Sequence, residues 1–227
     1  MRGSLLSSRA LVLASAGAVL LVLVLAQLLL PRLAAARIRS RIGRYGRVES
    51  VSVSAWPAIK LLWGSVDSVS VSAGALTLSE QKASSLLWDA RDTANLHFSA
   101  QSVRIGRLAV SDATLVKRGE ELAAHALASE ADVRAALPAG VGVSLLRSEG
   151  GQVEVSVGGS LFGLGASIDA VALPSEGRLV VKPVGLLLGA LQLTLLSDAH
   201  VYVRGVGASM QSADPLSYRL SLSASLR

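Results

Sequence analysis

Val51-Ser52-Val53-Ser54-Ala55-Trp56-Pro57-Ala58-Ile59-Lys60-Leu61-Leu62-Trp63-Gly64-Ser65-Val66-Asp67-Ser68-Val69-Ser70-Val71-Ser72-Ala73 holds two alternating runs separated by a short apolar turn. In each run valine or alanine takes every second position and serine the positions between. Successive side chains of a strand point to opposite sides, so this period of two predicts strands with one apolar and one hydroxylated face. Between the runs, Pro57 has the fixed φ that suits a first helical position and Gly64 suits a stop, which predicts a short helical turn. Trp56, Ile59 and Trp63 then share one side of it.

Downstream, Glu80 to Arg91 reads as a short helix or loop whose apolar group is Leu86, Leu87 and Trp88. Alternation resumes at Leu96, Phe98 and Ala100 and again at Val103 and Ile105, with a change of register of the kind a bulge produces. Leu108, Val110 and Leu115 extend the sheet. Ser129-Glu130-Ala131-Asp132 reads as a capping box before a helix that Pro138 and Gly140 close. Val153, Val155 and Val157 alternate, Gly158-Gly159 reads as a turn, and Leu164, Ala166, Ile168 and Ala170 run back. Ser175-Glu176-Gly177 turns the chain into Leu179 to Lys182, and further alternation follows at Leu191 to Leu195, Val201 to Val203 and Tyr218 to Leu226. Many short strands broken by glycine-containing turns favour a mostly antiparallel sheet over βαβ units. The apolar face is aliphatic, with eight aromatic residues in the whole chain. Such a face lines either a packed core or a curved sheet around a lipid-sized cavity, and periodicity does not choose between them.

Upstream the character changes. Ala10 to Pro31 is a run of 22 uncharged residues between Arg9 and Arg32, interrupted mildly by Ser15, Gly17 and Gln27. At about 1.5 Å per residue it is long enough to cross a hydrocarbon core of about 30 Å. With the basic n-region 1–9 before it, 10–31 reads as a transmembrane signal anchor, or, with small residues at Leu33 to Ala36, as a cleaved signal. Residues 32–47 follow as a basic amphipathic juxtamembrane helix: Ala34, Ile38, Ile42 and Tyr45 fall on one side and Arg37, Arg41 and Arg44 on another. That basic side suits anionic headgroups or a solvated stalk. The β-rich domain is then 48–227. By the positive-inside count, two arginines before the apolar run and six after it favour a cytoplasmic domain.

Overall the chain is apolar, 51% hydrophobic with a mean hydropathy of +0.52. Its net charge of +6 is local, since residues 1–47 hold eight arginines and no acid, leaving 14 of the 22 basic residues against all 16 acidic ones in 48–227. A nucleic-acid footprint needs a basic patch on the folded domain, so nucleic acid is excluded as the expected partner. There is no cysteine, which removes thiolate chemistry and disulfides. His97, His125 and His200 are widely spaced, no HExxH or GxSxG occurs, and Gly163-Leu164-Gly165 lacks the strand-turn-helix context of a dinucleotide loop. No catalytic residue, metal site or cofactor is expected, and the chain does not read as an enzyme.

Trp56-Pro57-Ala58-Ile59-Lys60-Leu61-Leu62-Trp63-Gly64-Ser65-Val66-Asp67-Ser68-Val69-Ser70-Val71 resembles the actinobacterial family of lipomannan elongation factor A and its relatives. Ser129 to Pro138, Gly151 to Val157 and Gly177 to Pro183 carry further likeness, and the resemblance covers most of residues 30–190. It implies phospholipids as partners, anionic species and phosphoinositides among them, a membrane, and other envelope proteins. It also implies an α+β, mostly antiparallel fold in which a strongly curved sheet packs with short helices, the tubular lipid-binding (TULIP-like) architecture, behind one N-terminal transmembrane helix. The expected location is the cell membrane, single-pass, with the C-terminal domain extracytoplasmic. Where the family has a proline-rich aromatic segment, Leu186 to Leu196 has neither residue type, so lipid choice does not carry over.

The expected function is phospholipid or glycolipid binding, with transfer as an extension, in cell-envelope lipid or lipoglycan metabolism. On that reading Trp56, Ile59, Leu62, Trp63 and Trp88 form a lipid-facing rim, and Lys60, Arg37, Arg41 and Arg44 contact headgroups. The alternative is a membrane-anchored scaffold with a closed β-rich core and no lipid pocket.

Overall fold

The structure is a computed structural model and describes residues 24–137, 139–161, 164–185, 192–213 and 216–226. Residues 24–42 form helix α1, which ends where the Gly43 N–H bonds the Arg39 carbonyl at 2.8 Å. β1 (Gly46–Ser54) leads into the 3₁₀ turn Ala58–Trp63 and β2 (Val66–Leu78). Pro57 sits just before that turn, and Gly64 ends it in the left-handed region at φ 77°, where a side chain would be strained.

After β2 come α2 (Glu80–Asp89), β3 (Thr93–Ile105), β4 (Leu108–Arg118), β5 (Glu121–Ser129) and α3 (Glu130–Ala136). The Ser129 hydroxyl and the Asp132 carboxylate make the reciprocal capping box expected at the start of α3. β6 (Val141–Glu149), β7 (Gln152–Leu161), β8 (Leu164–Ser175), β9 (Arg178–Pro183) and β10 (Leu193–Leu196) make a five-stranded antiparallel sheet. β11 (Val201–Ala213) and β12 (Leu216–Leu226) return to the larger sheet, whose order is β1-β2-β3-β4-β5-β12-β11.

The alternation seen in the sequence becomes rows across this sheet. Val51 pairs with Val71, and the register continues through Phe98, Leu115, Ala124, Leu222 and Val206. One position along, Ser50, Ser72, Ser99, Thr114, His125, Ser221 and Gly207 form a polar row on the opposite face. Burial of the apolar face against the helices is what fixes this register, because a slip of one residue would turn every valine outward. Ile42 of α1 packs on Ala73, Leu76, Ala100 and Val103. Leu87 of α2 packs on Leu122, Val201, Ala224 and Leu226.

Several expectations are corrected. The larger sheet is mixed, because β2 and β3 pair in parallel with α2 as the crossover between them. Alternation looks the same in parallel and antiparallel strands, so it did not reveal this one βαβ unit. The fold is α+β, but the strongly curved, tubular (TULIP-like) sheet is absent among the described residues: both sheets are open, ending on β1 and β11 and on β10 and β6. Alternation shows which face is apolar, but not whether the last strand returns to the first.

The transmembrane signal anchor at 10–31, and the single-pass membrane location with an extracytoplasmic domain that depended on it, are corrected as well. Among the described residues no helix is long and apolar enough to cross a membrane. Of that segment, residues 24–31 are described and run on within α1 to Arg32, Arg37, Arg39 and Arg41. Residues 10–23 lie outside the described residues.

Two local readings also change. Gly158 and Gly159 lie inside β7, paired with Ser167 and Ala166, so they do not form the expected turn. The bulge expected within β3 is instead a register shift of β4 against β5 between Ser111 and Thr114, where Asp112 takes a φ of 47°.

Candidate functional site

Gln27 organises one end of the molecule. Its amide Nε2 donates to the Ala55 carbonyl at 3.2 Å, and its Oε1 accepts from the Ala58 N–H at 2.7 Å. This fork ties the first described turns of α1 to the segment that carries Trp56 and Trp63. Ala55 and Ala58 are buried beneath it, whereas Trp56 and Trp63 are each 73% exposed and Leu62 is 66% exposed. Val24, Leu25, Leu28 and Leu29 of α1 are exposed at the same end. An indole left this open to water is unfavourable unless another phase or partner receives it.

The expected rim and headgroup residues separate into groups. Trp56, Leu62 and Trp63 stand together at this tip, and Lys60 joins them, its amine 3.6 Å from Asp67, whose other oxygen accepts from the Trp56 N–H. The side chain of Ile59 lies outside those described. Trp88 is elsewhere, half-buried at the end of α2, stacked on the His200 ring at 3.8 Å with the Arg91 guanidinium 4.3 Å from the indole centre. Arg37 and Arg41 are exposed on the later part of α1 and Arg44 is exposed just beyond its end. Arg41 lies 14 residues beyond Gln27, about 21 Å along the helix, and pairs with Asp89 at 2.7 Å.

Two recesses lie on the smaller sheet. A cleft of about 640 Å³ opens between α3 and β6–β8, floored by Gly142, Ser144, Ser156 and Gly158 and flanked by the Glu130–Arg134 ion pair. The two glycines of β7 serve here, leaving room where a side chain would fill the cleft. A second, of about 320 Å³, lies between the Glu176–Gly177 turn and Tyr202. The lining of the first is about equally polar and apolar, and that of the second is largely polar. Among the described residues no group of three His, Asp or Glu side chains converges on a metal-sized space.

The larger sheet carries a feature that alternation did not single out. On the apolar face of β5, Leu122 and Ala128 are buried while Ala124 and Ala126 between them are half-buried. β12 repeats the pattern, with Tyr218 and Ala224 buried and Leu220 and Leu222 half-buried between them. The face is closed at both ends of these strands and partly open in the middle. Lys117 interrupts the neighbouring apolar row between Leu96 and Leu122, its amine donating to the carbonyls of Arg91 and Thr93.

Sequence reasoning passed over Gln27, Lys117 and His200 as contributors to this arrangement. The first two were visible as single polar residues breaking an apolar pattern. The stacking of His200 on Trp88 joins residues more than a hundred positions apart and left no local signal.

A family model described as LmeA-like phospholipid-binding matches residues 22–224. Neither the curated proteins nor the solved structures give a match.

Proposed function

The chain belongs to the LmeA-like phospholipid-binding family, and on that premise we propose that it docks reversibly on a bilayer surface through Trp56, Leu62 and Trp63 and holds phospholipid there for cell-envelope lipid or lipoglycan metabolism. The family description names binding and no reaction, so the proposed work is holding and handing over lipid. The exposed apolar tip is the observation that carries this reading. At roughly 25 cal/mol per Å², withdrawing the open parts of two indoles from water is worth on the order of 5 kcal/mol. That is enough for docking and small enough for release.

Replacing Trp63 or Trp56 by Ala tests it. Each change should lower co-flotation with phosphatidylcholine–phosphatidylinositol vesicles by about fiftyfold. The rings are largely exposed, so the thermal midpoint should move by no more than about 2 °C. Unchanged flotation, or a large loss of stability with flotation intact, would place the rings in a structural role.

A further inference from the structure

We infer that the open edge of β1 is an interface to a second copy of this chain, the two β1 strands pairing antiparallel about a two-fold axis at Ser52. β1 ends the larger sheet, and among the described residues no backbone bond reaches it from any element other than β2. α1 lies along the strand without taking that edge. Gln27 reaches the Ala55 carbonyl just beyond one end of β1, and the Arg39 guanidinium donates to the Glu49 carbonyl near the other at 3.0 Å. From Gln27 to Arg39 the helix advances about 18 Å and from Glu49 to Ala55 the strand about 20 Å, so the two run side by side in opposite directions. Ile42 then carries the end of α1 over β2 and β3, onto Leu76 and Val103.

A sheet edge is ordinarily blunted by a bulge, a charge, a proline or a covering element. β11 is capped by the hairpin ends of the smaller sheet, β6 is bulged between Leu145 and Arg147, and β10 is only four residues long. β1 has its bulges between Gly46 and Ser50 and none from Ser50 to Ser54, where Ser-Val-Ser-Val-Ser holds no charge and no proline. The same stretch specifies the occupant. An added strand must set apolar side chains beside the half-buried Val51 and Val53 and small polar ones beside the exposed Ser50, Ser52 and Ser54. β1 turned about Ser52 does this at every position: Ser50 faces Ser54 of the second copy, Val51 faces Val53, and Ser52 faces itself. Hydroxyl pairs and β-branched pairs of this kind stabilise antiparallel strands, and a closed two-fold contact is the commonest way identical chains associate. The pairing sets the two Trp56–Trp63 tips at opposite ends of one continuous sheet.

The chain has no cysteine, so single introduced thiols read the register. Residues directly opposite in an antiparallel pair have Cα atoms about 4.5–5.5 Å apart, within the span of a disulfide, about 4.4–6.8 Å. Under mild oxidation the full chain carrying Ser52→Cys should form a covalent dimer about tenfold faster than one carrying Ser54→Cys, whose thiol faces Ser50 across the axis. Equal rates in the two, or no dimer from S52C, would overturn the inference. Sedimentation velocity of the wild type should show the mass doubling as concentration rises through about 10–100 μM, the range suited to a short strand pair of small area. Ser52→Lys sets two like charges opposite each other on the exposed face and should raise the concentration needed about tenfold. Wild type that stays monomeric across that range, or S52K that dimerises as well as wild type, would also overturn it. S52C that links only to other proteins when oxidised in intact cells, and never to itself, would give the edge to a foreign strand and sink the second-copy assignment.

Discussion

Lys117 is the least expected residue of the sheet, a lysine 2% exposed in a row otherwise made of aliphatic side chains. It is held there by the carbonyls of Arg91 at 3.0 Å and of Thr93, the residues through which α2 hands over to β3. Burial pushes its pKa below the ordinary 10.5, with Asp92 and Glu120 opposing the shift. Between that depressed value and 10.5 the unfolded chain binds more protons than the folded one, so this site makes stability rise with pH across the window. Below the window the folded state carries the full cost of the buried charge. Lys117→Met would leave both carbonyls without this donor and should destabilise the protein by about 1–3 kcal/mol at neutral pH. The wild type's advantage over the variant should widen as pH rises toward 10.5, as measured by urea denaturation at a series of pH values. A gap that narrows instead would contradict the sign of the shift.

At the scale of elements, β11 explains how two open sheets hold together. An edge strand presents unpaired backbone groups that invite aggregation unless they are covered. Here the Val203 N–H donates to the Gly177 carbonyl at 2.8 Å, Val206 N–H to Gly151 at 2.9 Å, and Ala208 N–H to the Ser148 hydroxyl at 2.9 Å. The hairpin ends of the smaller sheet thus cap the edge of the larger one. Gly177 is required twice over, by its φ of +78° and because a Cβ would stand 2.2 Å from the Tyr202 ring. Gly177→Ala should cost about 3 kcal/mol or more, combining the left-handed backbone penalty with overpacking. Calorimetry would show it as a lower thermal midpoint, and a midpoint within a degree or so of wild type would mean that the contact is not formed. The Ser175–Gly177 turn and the capping box of α3 were legible because turn and cap chemistry is local. The parallel β2–β3 pair, the open sheet edges and the position of Gly158–Gly159 inside a strand were not. Each depends on what approaches from elsewhere in the chain, and glycine suits a turn and a close contact equally well. The same holds for the candidate site: Trp56, Leu62 and Trp63 came from one local segment, whereas the Gln27 fork that ties that segment to α1 joins residues 28 and 31 positions apart.

For the whole molecule, charge and apolar surface are separated, and that separation divides membrane affinity into two parts. The arginine surplus follows α1, while residues 48–227 hold 14 basic against 16 acidic residues. Arg32, Arg37, Arg39, Arg44 and Arg47 are all exposed, whereas Arg41 is offset by Asp89, so Arg37 and Arg44 should carry a share of the attraction to anionic headgroups. Each near-surface arginine contributes about 1 kcal/mol there at modest ionic strength. The contribution vanishes as the screening length falls to about 3 Å near 1 M salt. Hydrocarbon burial, at roughly 0.8 kcal/mol per CH₂, is not weakened by salt. Changing Arg37 and Arg44 together to Gln should therefore reduce flotation on anionic vesicles about thirtyfold at low salt and leave it equal to wild type near 1 M. Lipid already held by the protein should stay bound through the same wash in both proteins, by mass spectrometry of the washed chain. Lipid lost from folded wild type under those conditions would mean that charge alone retained it, and the apolar tip would then not be needed to explain binding.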